Sequence, residues 1–168
     1  MKKIKFFFQI NLLIFLSSIL NVQATVTFID SLAVHSRDSE AVAFAFNNDG
    51  SKMFVVGCIN DSVDEYSLST NFDVSTASFV DSLDIINQAG NSKNLTFNSD
   101  GSKLFTVEDG AISHASADNI IEYHLTTSFD ISTASYDSRF SVYAQETQPT
   151  AVAFNSDGTK MFVYGNVG

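Results

Sequence analysis

The chain has 168 residues, 45% of them hydrophobic, with 9 Lys+Arg against 19 Asp+Glu and a formal net charge of −10 at pH 7. So few and scattered cations cannot line a groove that tracks nucleic-acid phosphates, and they disfavour an anionic membrane surface as well. The apolar content and the single Pro describe a globular chain, and one Cys excludes an internal disulfide framework or a Cys-rich zinc site.

Residues 1–24 read as a secretion signal. Lys2, Lys3 and Lys5 form a basic start, Phe6 to Leu20 is a mostly apolar run, and Val22-Gln23-Ala24 offers small residues before a cut. The run is short for a membrane span of about 20 residues. No Cys follows it to carry a lipid, since the only one is Cys58. The expectation is an exported protein (periplasmic, cell-surface or extracellular) whose mature domain, 25–168, stays out of the membrane.

The mature chain repeats. AVAFAFNNDGSKMFVVG, NLTFNSDGSKLFTVE and TAVAFNSDGTKMFVYG align on Gly50, Gly101 and Gly158, at spacings of 51 and 57. VDEYSLSTNFDVSTAS recurs as IIEYHLTTSFDISTAS, and FIDSL recurs as FVDSL and YDSRF. The unit is therefore 51 residues, and the second copy carries six more within Glu108 to Asp118.

In chain order, a lone strand from Val26 to Val34 comes first and matches the fourth strand of the later units. Each full unit then predicts four strands. The first ends in Phe46, Phe97 or Phe154. An Asn-x-Asp-Gly turn follows, where Gly supplies a positive φ and Asp bonds its own downstream backbone. The second strand (Met53 to Val56, Leu104 to Val107, Met161 to Tyr164) is nearly all apolar, as a strand covered on both faces must be. The third holds Tyr66-Ser67-Leu68 or Tyr123-His124-Leu125. The fourth alternates from Phe79 to Ile86 and suits an outer edge. The Phe72-Asp73 and Phe129-Asp130 pairs before it predict an aromatic plug between units and an Asp-capped turn.

Four antiparallel strands in units of this length form the signature of a β-propeller blade. The motif FNSDGSKLFTV…IIEYHL resembles YVTN-type and TolB-type propeller repeats, and the Ser-Thr-x-Phe-Asp block resembles repeats of uncharacterised exported bacterial propellers. The resemblance implies an all-β fold of four-stranded antiparallel blades and says almost nothing of activity. A closed ring takes typically 4 to 8 blades. About two and a half are visible, which reads as a truncated propeller with the missing blades as its first partners.

Antiparallel order sends the 1–2 and 3–4 connections to one face and the 2–3 and 4–1 connections to the other. The second face varies between copies, so a ligand site is expected there, on His35, Arg37, Asp38, Glu40, Gln88, Asn91, Gln145 and Glu146. The insertion gathers Glu108, Asp109, His114 and Asp118, a weak candidate for Ca2+ or Zn2+. A solvated acidic loop is the preferred reading, because the calcium-loop register is missing. No cofactor is expected. No nucleophile elbow, zincin motif or phosphate loop is present. The functional expectation is a non-enzymatic binding scaffold for an unknown protein, glycan or small molecule. The alternatives are a lactonase-like propeller hydrolase with an axial metal and a structural repeat of a surface or envelope layer.

Overall fold

The computed structural model describes residues 4–6, 27–110 and 118–166. The signal assigned to 1–24 lies outside the described residues apart from 4–6, and so does His114. Among the described residues no helix is long and apolar enough to cross a membrane.

Among the described residues twelve strands run in chain order: β1 (Ile4–Phe6), β2 (Asp30–Leu32), β3 (Ala41–Phe46), β4 (Lys52–Gly57), β5 (Ser62–Leu68), β6 (Ala77–Asp84), β7 (Ser92–Phe97), β8 (Lys103–Glu108), β9 (Asn119–Leu125), β10 (Ala134–Ser141), β11 (Pro149–Phe154) and β12 (Met161–Gly165). β3 to β6 form one four-stranded sheet and β7 to β10 a second, each ordered as in sequence, while β11–β12 and β1–β2 are two-stranded. Every pairing is antiparallel. The two four-strand units are thus as the repeat predicts. The third strands begin earlier than Tyr66 and Tyr123, because Val63 and Ile120 also have a core face to fill.

The turns follow from their residues. Gly50, Gly101 and Gly158 take φ of 74°, 72° and 70°. In each turn the Asn side-chain Oδ1 accepts the Lys N–H, at 2.9, 2.9 and 2.8 Å, and the Asp carboxylate accepts the N–H two residues on, at 2.9, 2.9 and 3.0 Å. Between β5 and β6, Asp73 accepts from Ser75 N–H (3.0 Å) and Ser75 hydroxyl (2.6 Å), capping the 3-10 turn Val74–Thr76. Asp130 does the same for Ile131–Thr133.

The capped turn is as predicted, and the aromatic plug is met in one copy only: Phe129 is half-buried and packs against the core between the first two units, whereas Phe72 does not. Phe72 has φ of 60°, which turns its ring back onto its own unit, and it is 58% exposed. The ring lies over Gly50, where an added Cβ would meet it at 2.4 Å, and 5.3 Å from the Phe46 ring. Phe129 sits likewise on Gly101 and Phe97. The block closes the loop end of its own sheet.

The core lies between sheets. Phe54, Val56, Val63 and Ile85 of the first unit pack against Leu95, Leu104, Tyr123, Leu125 and Ile131 of the second. Phe105, Val107, Ile120 and Val142 of the second pack against Val152, Phe154, Met161 and Val163 of the third. On the opposite face of the first sheet, Met53, Val55, Tyr66, Leu68 and Val74 are covered by Val34 and Leu32. Leu32 and Val34 are the repeat equivalents of Leu83 and Ile85, so β2 does stand in the place of a preceding unit's fourth strand. β1 pairs with it through Ile4↔Leu32 and Phe6↔Asp30, in the place of that unit's third strand.

Candidate functional site

The variable face is built by the connections that leave the second and fourth strands. Asp38 is the centre of its first corner. It is 5% exposed, and its carboxylate accepts Glu40 N–H at 2.7 Å, Asn60 N–H at 2.9 Å and Ile59 N–H at 3.4 Å. This carboxylate ties the 4–1 loop to the 2–3 loop. The carboxylate needs room, and Gly57 supplies it: a Cβ there would meet Asp38 Cγ at 2.1 Å.

The same corner recurs with its parts exchanged. In the second unit Ala89 replaces Asp38 and Glu108 replaces Gly57. Glu108 is 1% exposed and accepts Asn119 Nδ2 at 2.9 Å. In the third, Glu146 accepts Gln148 N–H at 2.8 Å and lies over Gly165, whose added Cβ would meet Glu146 Cδ at 2.1 Å. The first and third corners thus place an acid against a glycine, and the aligned positions of the second carry Ala89 and Glu108, both buried. Sequence reading placed these acids on a ligand face but missed the exchange. The alternation of Asp38/Gly57, Ala89/Glu108 and Glu146/Gly165 in the aligned units was the available signal.

The other candidates are spread over three corners. Arg37 Nε lies 3.5 Å from Asp64 Oδ2, and the guanidinium sits 3.5 Å above the Phe79 ring. Its carbonyl accepts the Asn60 amide. Glu40 receives the Cys58 thiol at 3.5 Å, and burial, followed by this carboxylate, pushes the thiol pKa up. That is the opposite of nucleophile activation. His35 and Gln145 are exposed. Gln88 contributes its carbonyl, which accepts Arg139 Nη2 at 2.7 Å. Asn91, at φ 60°, donates its N–H to Asp61 (2.9 Å) and its amide to the Asp109 carbonyl (3.0 Å), and accepts Lys93 Nζ at 2.8 Å. Burial raises the Asp61 pKa against the pull of the Asn91 and Ser92 N–H groups.

Of the insertion acids, Asp109 pairs with Lys93 at 3.6 Å, and Asp118 is buried and accepts Gly110 N–H at 3.2 Å. Glu108, Asp109 and Asp118 therefore each have a protein partner. Among the described residues no group of three or more His, Cys, Asp or Glu is placed to hold a metal ion.

Away from this face, Lys52 Nζ meets Glu65 Oε1 at 2.8 Å, with Glu65 only 2% exposed. The pair reaches across to the second unit: Lys52 Nζ donates to the Phe129 carbonyl at 2.7 Å, and Ile131 N–H donates to Glu65 Oε2 at 3.1 Å. This clasp joins the first sheet to the capped turn of the second. Its repeat equivalent, Lys103 with Glu122, lines a groove of about 630 Å³ between the second and third units.

Comparison with solved structures places this arrangement. A putative 6-phosphogluconolactonase from Bacteroides uniformis matches over 88% of this chain and 38% of its own, with a TM-score of 0.58 and 10% identity. A β-propeller domain from Myceliophteria thermophila matches over 85% and 43%, at TM-score 0.53 and 11% identity. The chain folds as part of a β-propeller. A periplasmic gluconolactonase from Pseudomonas aeruginosa matches over 71% and 31%, at TM-score 0.51 and 17% identity. The chain thus spans between 31% and 43% of the length of these three propellers. No family model matches it, and no curated protein matches it in sequence. The four-stranded units are blades, β3 to β6 the first and β7 to β10 the second. β11–β12 supplies the inner two strands of a third.

Proposed function

We propose that the protein is an exported, non-enzymatic scaffold of the YVTN- or TolB-like kind, which offers its variable loop face to a protein, glycan or small-molecule partner. The reading is carried by one observation: the acids of that face are bound into their own loops. Asp38, Asp118 and Glu146 accept backbone N–H groups, and Glu108 accepts a neighbouring amide. Carboxylates used in this way stiffen loops for recognition. A structural repeat of an envelope layer is the limiting case of the same scaffold.

The rival is a lactonase-like hydrolase with an axial metal, which the names of two structural neighbours bring forward. The test is lactone hydrolysis and thermal melting of the full chain, each with Ca2+, Zn2+ or chelator. The scaffold reading expects no turnover and no metal-dependent shift. Chelator-sensitive hydrolysis overturns it in favour of the hydrolase, and a melting gain of several degrees with Ca2+ or Zn2+ that D109A/H114A loses would assign a metal to the insertion instead. Export is tested separately. N-terminal sequencing of secreted protein should begin at Thr25, and retention of Met1 would refute the signal.

A further inference from the structure

Glu40, Asn91 and Gln148 hold the same place in their units, just before β3, β7 and β11. Glu40 N–H donates to Asp38 at 2.7 Å and Gln148 N–H to Glu146 at 2.8 Å, each an acid of its own loop. The second unit carries Ala89 where that acid would stand. Asn91 N–H crosses instead to Asp61 of the first blade, at 2.9 Å. Asp61 therefore ties the 2–3 connection of one blade to the entry of the next. Its repeat equivalent Asp118 accepts from Gly110, so among the described residues the tie is made at this junction alone. The site is a poor one for a negative charge. Asp61 is half-buried. On one side stands Asp38, which accepts the N–H groups of the adjoining Ile59 and Asn60. On the other stands Asp84, across from Ser62 in the β5–β6 register, with its carboxylate on Ile86 N–H. Among the described residues no cation pairs with Asp61: Arg37 goes to Asp64 and Lys93 to Asp109. The Cys58 thiol of the same connection donates to Glu40.

We propose that this corner is an acid-tightened latch, in which protonation of Asp61 strengthens its hold on the Asn91 N–H and stiffens the loop face between the first two blades. A carboxylate that is half-buried beside two others loses hydration and gains repulsion, and no cation offsets either. The protonated group keeps its carbonyl oxygen for Asn91 N–H and sheds both costs, while its hydroxyl can face water. Burial, and after it the charges of Asp38 and Asp84, push the Asp61 carboxyl up against the pull of the Asn91 and Ser92 N–H groups. When the two loops part, Asp61 returns to water and to its ordinary value of 3.8. The closed corner thus binds the proton more tightly than the open one, and its stability rises as pH falls toward that value. Asn91 passes the effect on, because its Nδ2 donates to the Asp109 carbonyl at 3.0 Å and its Oδ1 accepts Lys93 Nζ at 2.8 Å. The inference does not depend on what the loop face binds.

The test is hydrogen exchange of the segment 86–92 in the full chain, read by mass spectrometry and corrected for the intrinsic effect of pH on exchange. D61N keeps an acceptor for Asn91, suits the φ of 45° and stands for the protonated state. We expect it to slow exchange about twofold or more at about pH 7, and the wild type to approach the same protection at about pH 4. D61G accommodates the same φ without an acceptor and should speed exchange at both pH values. Faster exchange in D61N at neutral pH overturns the proposal, because the ionised carboxylate would then be the better catch. An equal response of wild type and D61N to acid overturns it too, since the titrating group would lie elsewhere. So does D61G with unchanged exchange, which would mean that Asp61 holds nothing.

Discussion

Gly50 and Gly158 occupy the same place in the same turn with nearly the same φ, yet their surroundings differ. At Gly50 the Phe72 ring would stand 2.4 Å from an added Cβ, while at Gly158 nothing lies within 4 Å. Alanine in left-handed backbone costs about 1–2 kcal/mol at either position. Displacing a packed ring adds about 1–3 kcal/mol more. Gly50→Ala should therefore destabilise clearly more than Gly158→Ala in urea unfolding, and equal losses would mean that Phe72 does not hold that turn. The turn aspartates add a pH term. Hydrogen bonds from Ser51, Ser102 and Thr159 lower the carboxyl pKa values of Asp49, Asp100 and Asp157. A lowered folded pKa gives stability that is present above the ordinary value of 3.8 and is lost as pH falls through the folded values. The triple variant D49N/D100N/D157N should show a shallower loss of stability below about pH 4, and an unchanged acid limb would contradict this. These turn roles were legible because the bonds are local: Asn-x-Asp-Gly carries its acceptors and its positive φ in four consecutive residues.

At the scale of strands and turns, legibility ends where partners lie in different blades. The apolar second strand and the alternating fourth strand were readable from period alone. Phe72 was misplaced because its direction depends on a positive φ at a bulky residue, which sequence rarely announces. The Lys52–Glu65 clasp was missed although Lys103 and Glu122 repeat it, because its function rests on a turn 64 residues beyond Glu65 at the nearest, Phe129. The two copies of the clasp separate its energetics. Glu65→Ala takes the carboxylate from Lys52, which keeps only the Phe129 carbonyl, and leaves the buried Ile131 N–H unmatched; breaking a fully buried pair costs about 3–5 kcal/mol, an upper bound here because Lys52 is partly open to water. Glu122→Ala breaks a pair open to water, worth about 1 kcal/mol or less. Denaturation of the full chain should show that order of loss. Similar losses at both would mean that the cross-blade bonds contribute nothing beyond the ion pair.

At the scale of the described strands, the packing surfaces are blade faces and strand edges, and the face and edge of β12 are open among the described residues. Phe162 and Tyr164 on β12 are 57% and 67% exposed, whereas their first-blade equivalents Phe54 and Val56 are fully buried. At the other end, β2 has its edge covered by Ile4–Phe6, which signal cleavage after Ala24 would remove. Unpaired edges beside apolar faces template association, and covering such faces stabilises by about 25 cal/mol per Å² of apolar surface. Residues 25–168 produced alone should therefore self-associate or melt over a broad range. Light scattering after size exclusion, with thermal unfolding followed by circular dichroism, reads both. The association is expected to run through the edges of β2 and β12 and the Phe162–Tyr164 face. It should diminish when Phe162 and Tyr164 are both replaced by Ser. A monodisperse monomer with one sharp transition would show instead that the visible blades cap themselves, as an open repeat array does.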